Sequence, residues 1–125
     1  MILGVGIDII EVARIESSYE RFGERFVNRI LQPDEIRYCL SHKKPGPFLA
    51  ARFAAKEAGM KAIGTGWKRG VTWQDFEVAN LPTGKPTLQL HGVAAAIAGK
   101  LGVRNISLSL THTAELGMAH VILED

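Results

Sequence analysis

The sequence predicts a single α+β domain with a mostly antiparallel sheet. Three observations carry that reading. Apolar residues alternate at both ends of the chain, at Leu3, Val5 and Ile7 and again at Ile106, Leu108 and Leu110, with period two. Between them, Val12, Ile15, Tyr19, Phe22 and Phe26 recur at three-and-four spacing, the mark of an amphipathic helix. The order of elements is strand, three helices, two strands, helix, two strands (β-α-α-α-β-β-α-β-β), which does not fit the regular β-α alternation of a parallel sheet.

The first strand is Ile2 to Ile9, where Gly4, Gly6 and Asp8 form the other face. Glycines in a strand mark a face that another backbone or a ligand approaches closely. The helical period begins near Ile9, and Gly23 ends or interrupts it. Pro33 followed by Asp34-Glu35 opens a second helix running to about Ser41, since proline suits the first turn and acids suit its dipole. Pro47 opens a third, Ala-rich helix that ends near Gly64, after the Pro45-Gly46-Pro47 hinge. Thr72 to Ala79 and Thr87 to Leu90 read as strands joined by the Gly84-containing turn. Val93, Ile97 and Leu101 mark a short helix capped by Gly102. Ile106 to Thr111 and Met118 to Leu123 close the chain as strands.

With 125 residues, one domain over positions 1–125 is the expectation. Hydrophobic residues are 46% and charged residues 22%, ordinary globular usage that excludes disorder and fibrous repeats. The lone Cys39 rules out an internal disulfide. The longest apolar run, Met1 to Ile10, is too short to span a bilayer and is broken by Asp8. It also lacks the basic start of a signal peptide. The expected setting is cytoplasmic, with no membrane partner. Net charge is only +2, too weak to argue for nucleic acid. Residues 1–62 carry ten Lys/Arg against eight Asp/Glu, and residues 63–125 carry five of each. The surplus therefore lies in the N-terminal half, where a local basic stripe suits an acidic partner more than a polyanion.

Several residues admit a chemical and a structural reading. Asp8 is a hard oxygen donor beside glycines, suited to magnesium, which takes one or two carboxylates and keeps several waters. It also stands where it caps the following helix, with Glu11 three residues on. On the third helix Lys56 falls inside the apolar stripe of Leu49, Phe53, Met60 and Ile63, and Glu57 falls on its border. A charge on a core-facing seam needs a partner or a ligand. Glu57 is either a metal ligand, with Lys61 one turn on for phosphate charge, or half of an i,i+4 ion pair with Lys61. Lys85 belongs first to a hairpin turn and also stands where it can reach a phosphate. His112, after Thr111, is either a phosphate donor or idle on a loop. Gly64-Thr65-Gly66 follows a helix and fits a C-cap better than a phosphate cradle. Arg14, Arg21 and Arg25, seven and four residues apart, fall on one helix face roughly 120° from the apolar stripe. That face is either solvated, with Glu20 and Glu24 offsetting part of its charge, or a grip for the carboxylates of an acidic helix.

Taken in order, Gly6-Ile7-Asp8-Ile9, Arg52-Phe53-Ala54-Ala55-Lys56-Glu57-Ala58 with Lys61-Ala62 and Gly64-Thr65-Gly66, Gly84-Lys85-Pro86, and Leu110-Thr111-His112-Thr113 resemble the holo-acyl-carrier-protein synthases, the short type of 4′-phosphopantetheinyl transferase. The resemblance spans nearly the whole chain, and the helix with Lys56-Glu57-Ala58 is its specific part. Phe53, where longer members of the superfamily often have tryptophan, and Gly59, which costs about 1 kcal/mol of helix propensity, are departures. The resemblance implies an enzyme that moves the phosphopantetheine arm of coenzyme A onto a serine of apo acyl carrier protein and releases adenosine 3′,5′-bisphosphate. It implies Asp8 and Glu57 as magnesium ligands, and Glu57 as base, directly or through a water on the metal. Lys61 would steady the pyrophosphate. Lys85, Pro86, His112, Thr111 and, beside Lys61, Gly64 would contact coenzyme A, and Arg14, Arg21 and Arg25 the acidic helix of the carrier protein. It further implies a homotrimer with sites at subunit interfaces, Asp8 and Glu57 from one subunit and Lys85 and His112 from its neighbour. The rival from another class is a non-catalytic adaptor that binds an acidic helix through the arginine face and has no use for Lys85 or His112. A different magnesium-dependent phosphate-ester enzyme would keep the carboxylates and ignore carrier proteins.

Overall fold

The computed structural model describes residues 1–66 and 68–125. Its elements run β1 (Ile2–Glu11), α1 (Val12–Phe22), α2 (Glu24–Ile30), α3 (Pro33–Leu40), α4 (Gly46–Ile63), β2 (Phe76–Asn80), β3 (Pro86–Leu90), α5 (Gly92–Leu101), β4 (Asn105–His112) and β5 (Leu116–Glu124), with a single 3-10 turn at Trp73–Asp75 before β2. The α+β class stands, and every strand pairing among the described residues is antiparallel. The strands form two sheets rather than one, a three-stranded sheet in the order β1-β5-β4 and a two-stranded β2-β3 hairpin.

Helix α4 is the centre of the molecule. It packs across β1 and β5, and its small side chains let the sheet backbone come close. A Cβ on Gly6 would sit 2.8 Å from the carbonyl carbon of Ala58 and 2.9 Å from the nitrogen of Ala62, and closer still to the Ala58 oxygen. A Cβ on Gly117 of β5 would sit 2.8 Å from the nitrogen of Ala51. The close approach expected of the glycine face is therefore made by a helix backbone. Gly59 has its own reason: a Cβ there would lie 2.8 Å from the Phe76 ring, so the helix gives up propensity to seat an aromatic.

Two apolar clusters flank α4. One joins its alanines to Phe76, Val78, Leu88, Ile97, Leu108, Val121 and Leu123; the other joins Val12, Ile15, Val27, Ile30, Leu31 and Leu49 from the helical half. Among the described residues no element covers the sheet's second face. Val5, Ile7 and Ile9 point outward and are 52%, 55% and 55% exposed. They stand in register with Ile122, His120 and Met118 of β5, and these with Ser107, Ser109 and Thr111 of β4.

Four expectations change. The first helix is two helices, because Gly23 takes φ 56° and ψ −130° and breaks the hydrogen-bond ladder between α1 and α2. Among the described residues four α-helices, not three, thus lie between β1 and β2. The strand expected from Thr72 begins only at Phe76, since Thr72 O accepts from Asp75 N and turns the chain first. On α5 the buried face is Ala94, Ile97 and Ala98, while Val93 and Leu101 are exposed. Asp8 is not a helix cap: it lies inside β1, and α1 starts from Glu11 with no side-chain cap. Gly64 and Gly102 end their helices in the left-handed conformation, as expected.

Candidate active site

Asp8 comes from the inner face of β1, and Glu57 and Lys61 from successive turns of α4. The glycine contacts that press β1 onto α4 bring the three together. Lys61 donates to Asp8 Oδ1 at 2.9 Å and to the carbonyl of Ile7 at 3.0 Å. The Glu57–Lys61 pair considered from spacing does not form; the lysine crosses to the strand instead. Asp8 Oδ2 is buried and has no hydrogen-bond partner. Glu57 is half-buried, and its Oε1 accepts from Trp73 Nε1 at 3.3 Å. Burial pushes the Glu57 carboxyl above its ordinary pKa, the Trp73 hydrogen bond pulls it down, and Asp8 adds to the rise. Two acids held near each other, one with a bare buried oxygen, are the donor set of a hard divalent cation that keeps waters or phosphate oxygens in its other positions. Among the described residues no group of three or more His, Cys, Asp or Glu gathers for a metal, which excludes a fully protein-built cage.

Lys56, next to Glu57, points the other way. Its ammonium is fully buried and contacts Glu35 Oε1 at 2.7 Å, Phe76 O at 2.6 Å and Trp73 O at 3.3 Å. Glu35 in turn accepts from the backbone nitrogens of Gln32 at 2.7 Å and Val78 at 2.9 Å. Burial lowers the Lys56 pKa and the Glu35 carboxylate opposes that. The charge on the apolar seam thus has the partner that its position demanded. Sequence reasoning missed Glu35, which reads as a helix-dipole acid, and Trp73, which reads as a strand residue.

Gly64 ends α4 one turn beyond Lys61 and is exposed. The other expected contacts lie elsewhere in the chain. Lys85 is exposed in the β2–β3 turn and Pro86 begins β3. Thr111 is on the outward face of β4, in register with Met118 and Ile9, so it shares no face with Asp8. His112 packs against Phe48, ring centroids 4.9 Å apart. Phe48 is nine residues before Glu57, roughly 13 Å along the helix. Arg14 and Arg21 share α1, but Arg25 falls on α2 beyond the break, so the one-helix argument does not hold for it. All three are exposed. A cavity of about 410 Å³ nevertheless gathers Arg25 and Arg29 over Phe22, Phe26, Phe53 and Trp73. Arg14 lines a smaller hollow that shares Ser18, Phe26 and Phe53 with it. The result is an apolar groove with a basic rim, and Trp73 links it to Glu57.

A fold built on a glycine-faced strand, an Ala-rich central helix and this carboxylate pair defines a class of phosphate-transferring enzyme. The sequence profile of the 4′-phosphopantetheinyl transferase superfamily matches residues 4–115, and the chain belongs to that family. It is 66% identical, over the full length of both chains, to a holo-[acyl-carrier-protein] synthase of Solibacter usitatus. Its fold is similar to the crystal structure of holo-[acyl-carrier-protein] synthase from Neisseria meningitidis (TM-score 0.90, 34% identity, all of both chains). It is also similar to the Helicobacter pylori enzyme in complex with coenzyme A (TM-score 0.84, 31% identity, 96% of this chain and 99% of that one).

Proposed function

We propose that this chain transfers the 4′-phosphopantetheine arm of coenzyme A to a serine of apo acyl carrier protein, with Asp8 and Glu57 as the magnesium ligands. Family membership and the full-length similarity to holo-[acyl-carrier-protein] synthases support the reaction. The observation that carries the site is the buried, unpartnered Oδ2 of Asp8 beside Glu57. An isolated carboxylate oxygen is costly to bury without a ligand. An adaptor has no use for it, so the non-catalytic reading has nothing in its favour.

In this reading Lys61 fixes Asp8 through Oδ1 and leaves Oδ2 to the cation, while its remaining donor capacity faces the pyrophosphate. Magnesium, when bound, offsets charge on the pyrophosphate and the departing phosphate. The serine oxygen attacks the phosphorus that bears the pantetheine arm, and adenosine 3′,5′-bisphosphate leaves with the bridging oxygen. The serine proton passes to Glu57, directly or through a water. The carrier protein's acidic helix lies along the rim of Arg14, Arg21 and Arg25, and the groove between Phe22 and Phe53 receives its apolar side chains.

A second part of the proposal is a homotrimer with shared sites. Lys85, Pro86, Thr111 and His112 stand apart from Asp8 within one chain, so a neighbouring copy supplies them to coenzyme A. The uncovered face of Val5, Ile7 and Ile9 is the surface that such copies bury. The setting is a reducing cytoplasm, consistent with the free, buried Cys39; among the described residues no helix is long and apolar enough to cross a membrane.

The test is intact-mass spectrometry of apo acyl carrier protein incubated with the protein, coenzyme A and magnesium. The expected result is a gain of one phosphopantetheine, absent with excess chelator and absent for Asp8→Ala. No gain with several carrier proteins, from folded protein, overturns the proposal.

A further inference from the structure

We propose that Trp73 is a positioning residue for Glu57, and that the buried Lys56–Glu35 pair holds Trp73 in that role. The inference rests on the reading of Glu57 as a magnesium ligand. A side-chain carboxylate on a helix surface has three rotatable bonds, so a ligand of fixed direction needs a second contact. Glu57 receives it from the indole N–H of Trp73, at 3.3 Å to Oε1. That bond occupies one carboxylate oxygen and leaves Oε2 for the cation.

Trp73 is itself held by two contacts to its ring and one to its backbone. Its ring packs against Phe53 with centroids 5.8 Å apart, and the Arg29 guanidinium lies 5.6 Å from its centroid. Its backbone carbonyl is tied to Lys56 Nζ, as is that of Phe76. Lys56 is fixed by Glu35, and Glu35 by the nitrogens of Gln32 and Val78. Adjacent residues of α4 thus divide the work. Glu57 faces the site, and Lys56, on the other side of the helix, fixes the turn from which the orienting indole projects. A buried ion pair is weak evidence for stability as such; tied to three backbone segments around one ligand, it has a geometric use.

The experiment uses the full chain and reads magnesium affinity by calorimetric titration in the presence of coenzyme A, alongside thermal midpoint and steady-state constants. Trp73→Phe keeps an aromatic ring against Phe53 and Arg29 and removes the indole N–H together with part of the ring. The expected result is a magnesium affinity lower by about five- to tenfold, since bonds to charged groups are the stronger ones, in a chain that still melts in one transition. Lys56→Met, which frees the turn, is expected to weaken magnesium binding at least as much in the fraction that folds. A magnesium affinity of Trp73→Phe within twofold of the parent overturns the inference. Glu57→Gln separates the two failures. If it binds magnesium as the parent does, the ligand assignment is wrong and the inference falls with it. If it loses magnesium while Trp73→Phe keeps it, the ligand stands and only the positioning role is refuted.

Discussion

Gly6→Ala adds one methyl group where β1 meets α4. The new carbon would lie 2.8 Å from the carbonyl carbon of Ala58, 0.6 Å short of the 3.4 Å at which ordinary contact begins, and closer to the Ala58 oxygen. The obstacles are backbone atoms in mid-helix, so no rotamer change relieves them; the strand must lift. Overpacking of this kind costs about 1–3 kcal/mol, or a fall in thermal midpoint of about 4–12 °C for a chain of this size. Asp8 is two residues along the same strand and moves with it, away from Glu57. A displacement approaching 1 Å in a catalytic group lowers turnover by about a hundredfold. Differential scanning calorimetry and transfer kinetics, read together, give both quantities. A variant that melts within 1 °C of the parent and turns over normally would refute the claim that backbone contact between β1 and α4 sets the site.

Four further outcomes follow from the same structure. Burial raises the Glu57 pKa above its ordinary 4.5; between the two values the folded state binds more protons than the unfolded one, so stability falls as pH rises. Glu57→Gln is therefore expected to raise the thermal midpoint of metal-free protein at pH 7 and to leave it unchanged once both states are protonated, near about pH 3.5. Glu35→Ala leaves the Lys56 charge buried without its counter-charge and is expected to cost about 3–5 kcal/mol in urea unfolding, of which adding Lys56→Met recovers only a part, because the Gln32 and Val78 nitrogens stay without their acceptor. Arg14→Glu is expected to raise the KM for carrier protein about tenfold and that for coenzyme A by less than about twofold, because it changes the rim and not the phosphate site; equal effects refute the docking role. Ile7→Glu, at an exposed position of the single chain, is expected to leave the fold intact and to yield monomers in sedimentation with loss of transfer; a fully active monomer refutes the shared site.

Much of the architecture was legible because local patterns and tertiary contacts agree. The proline starts of α3 and α4 and the glycine ends of α4 and α5 lie where short-range rules put them, whereas of the three-and-four stripe Phe26 passes to α2 and Phe22 is exposed. Asp8 stood out through its glycine neighbours, and those glycines do mark a close approach. Pair contacts between distant positions were hidden. Lys56 signalled that it needed a partner, but nothing local selects Glu35, twenty-one residues away, over the other acids. Trp73 sits in a run of strand-like residues, and Lys56, distant in sequence, bonds the carbonyls at Trp73 and Phe76, on either side of the 3-10 turn's end. The sequence marks a break at Gly23, yet the dihedral angles there decide whether a helix ends or only bends, and they put Arg25 on another axis. The outward Val5, Ile7 and Ile9 reverse the usual apolar-in rule because at Gly4 and Gly6 the inner face has room only for hydrogen atoms.

The joint between β1 and α4 has a bearing on how such a protein changes over time. Where a catalytic pair stands on packed side chains, each substitution in the core shifts its footing a little. Here the strand with Asp8 rests on the peptide groups of the helix with Glu57, at Gly4 and Gly6 against Ala58 and Ala62. Peptide groups are the same whatever residues surround them. The apolar clusters on either side can therefore drift through many combinations while the spacing of the two acids stays where it was, and the positions closed to drift are the few glycines of the joint itself.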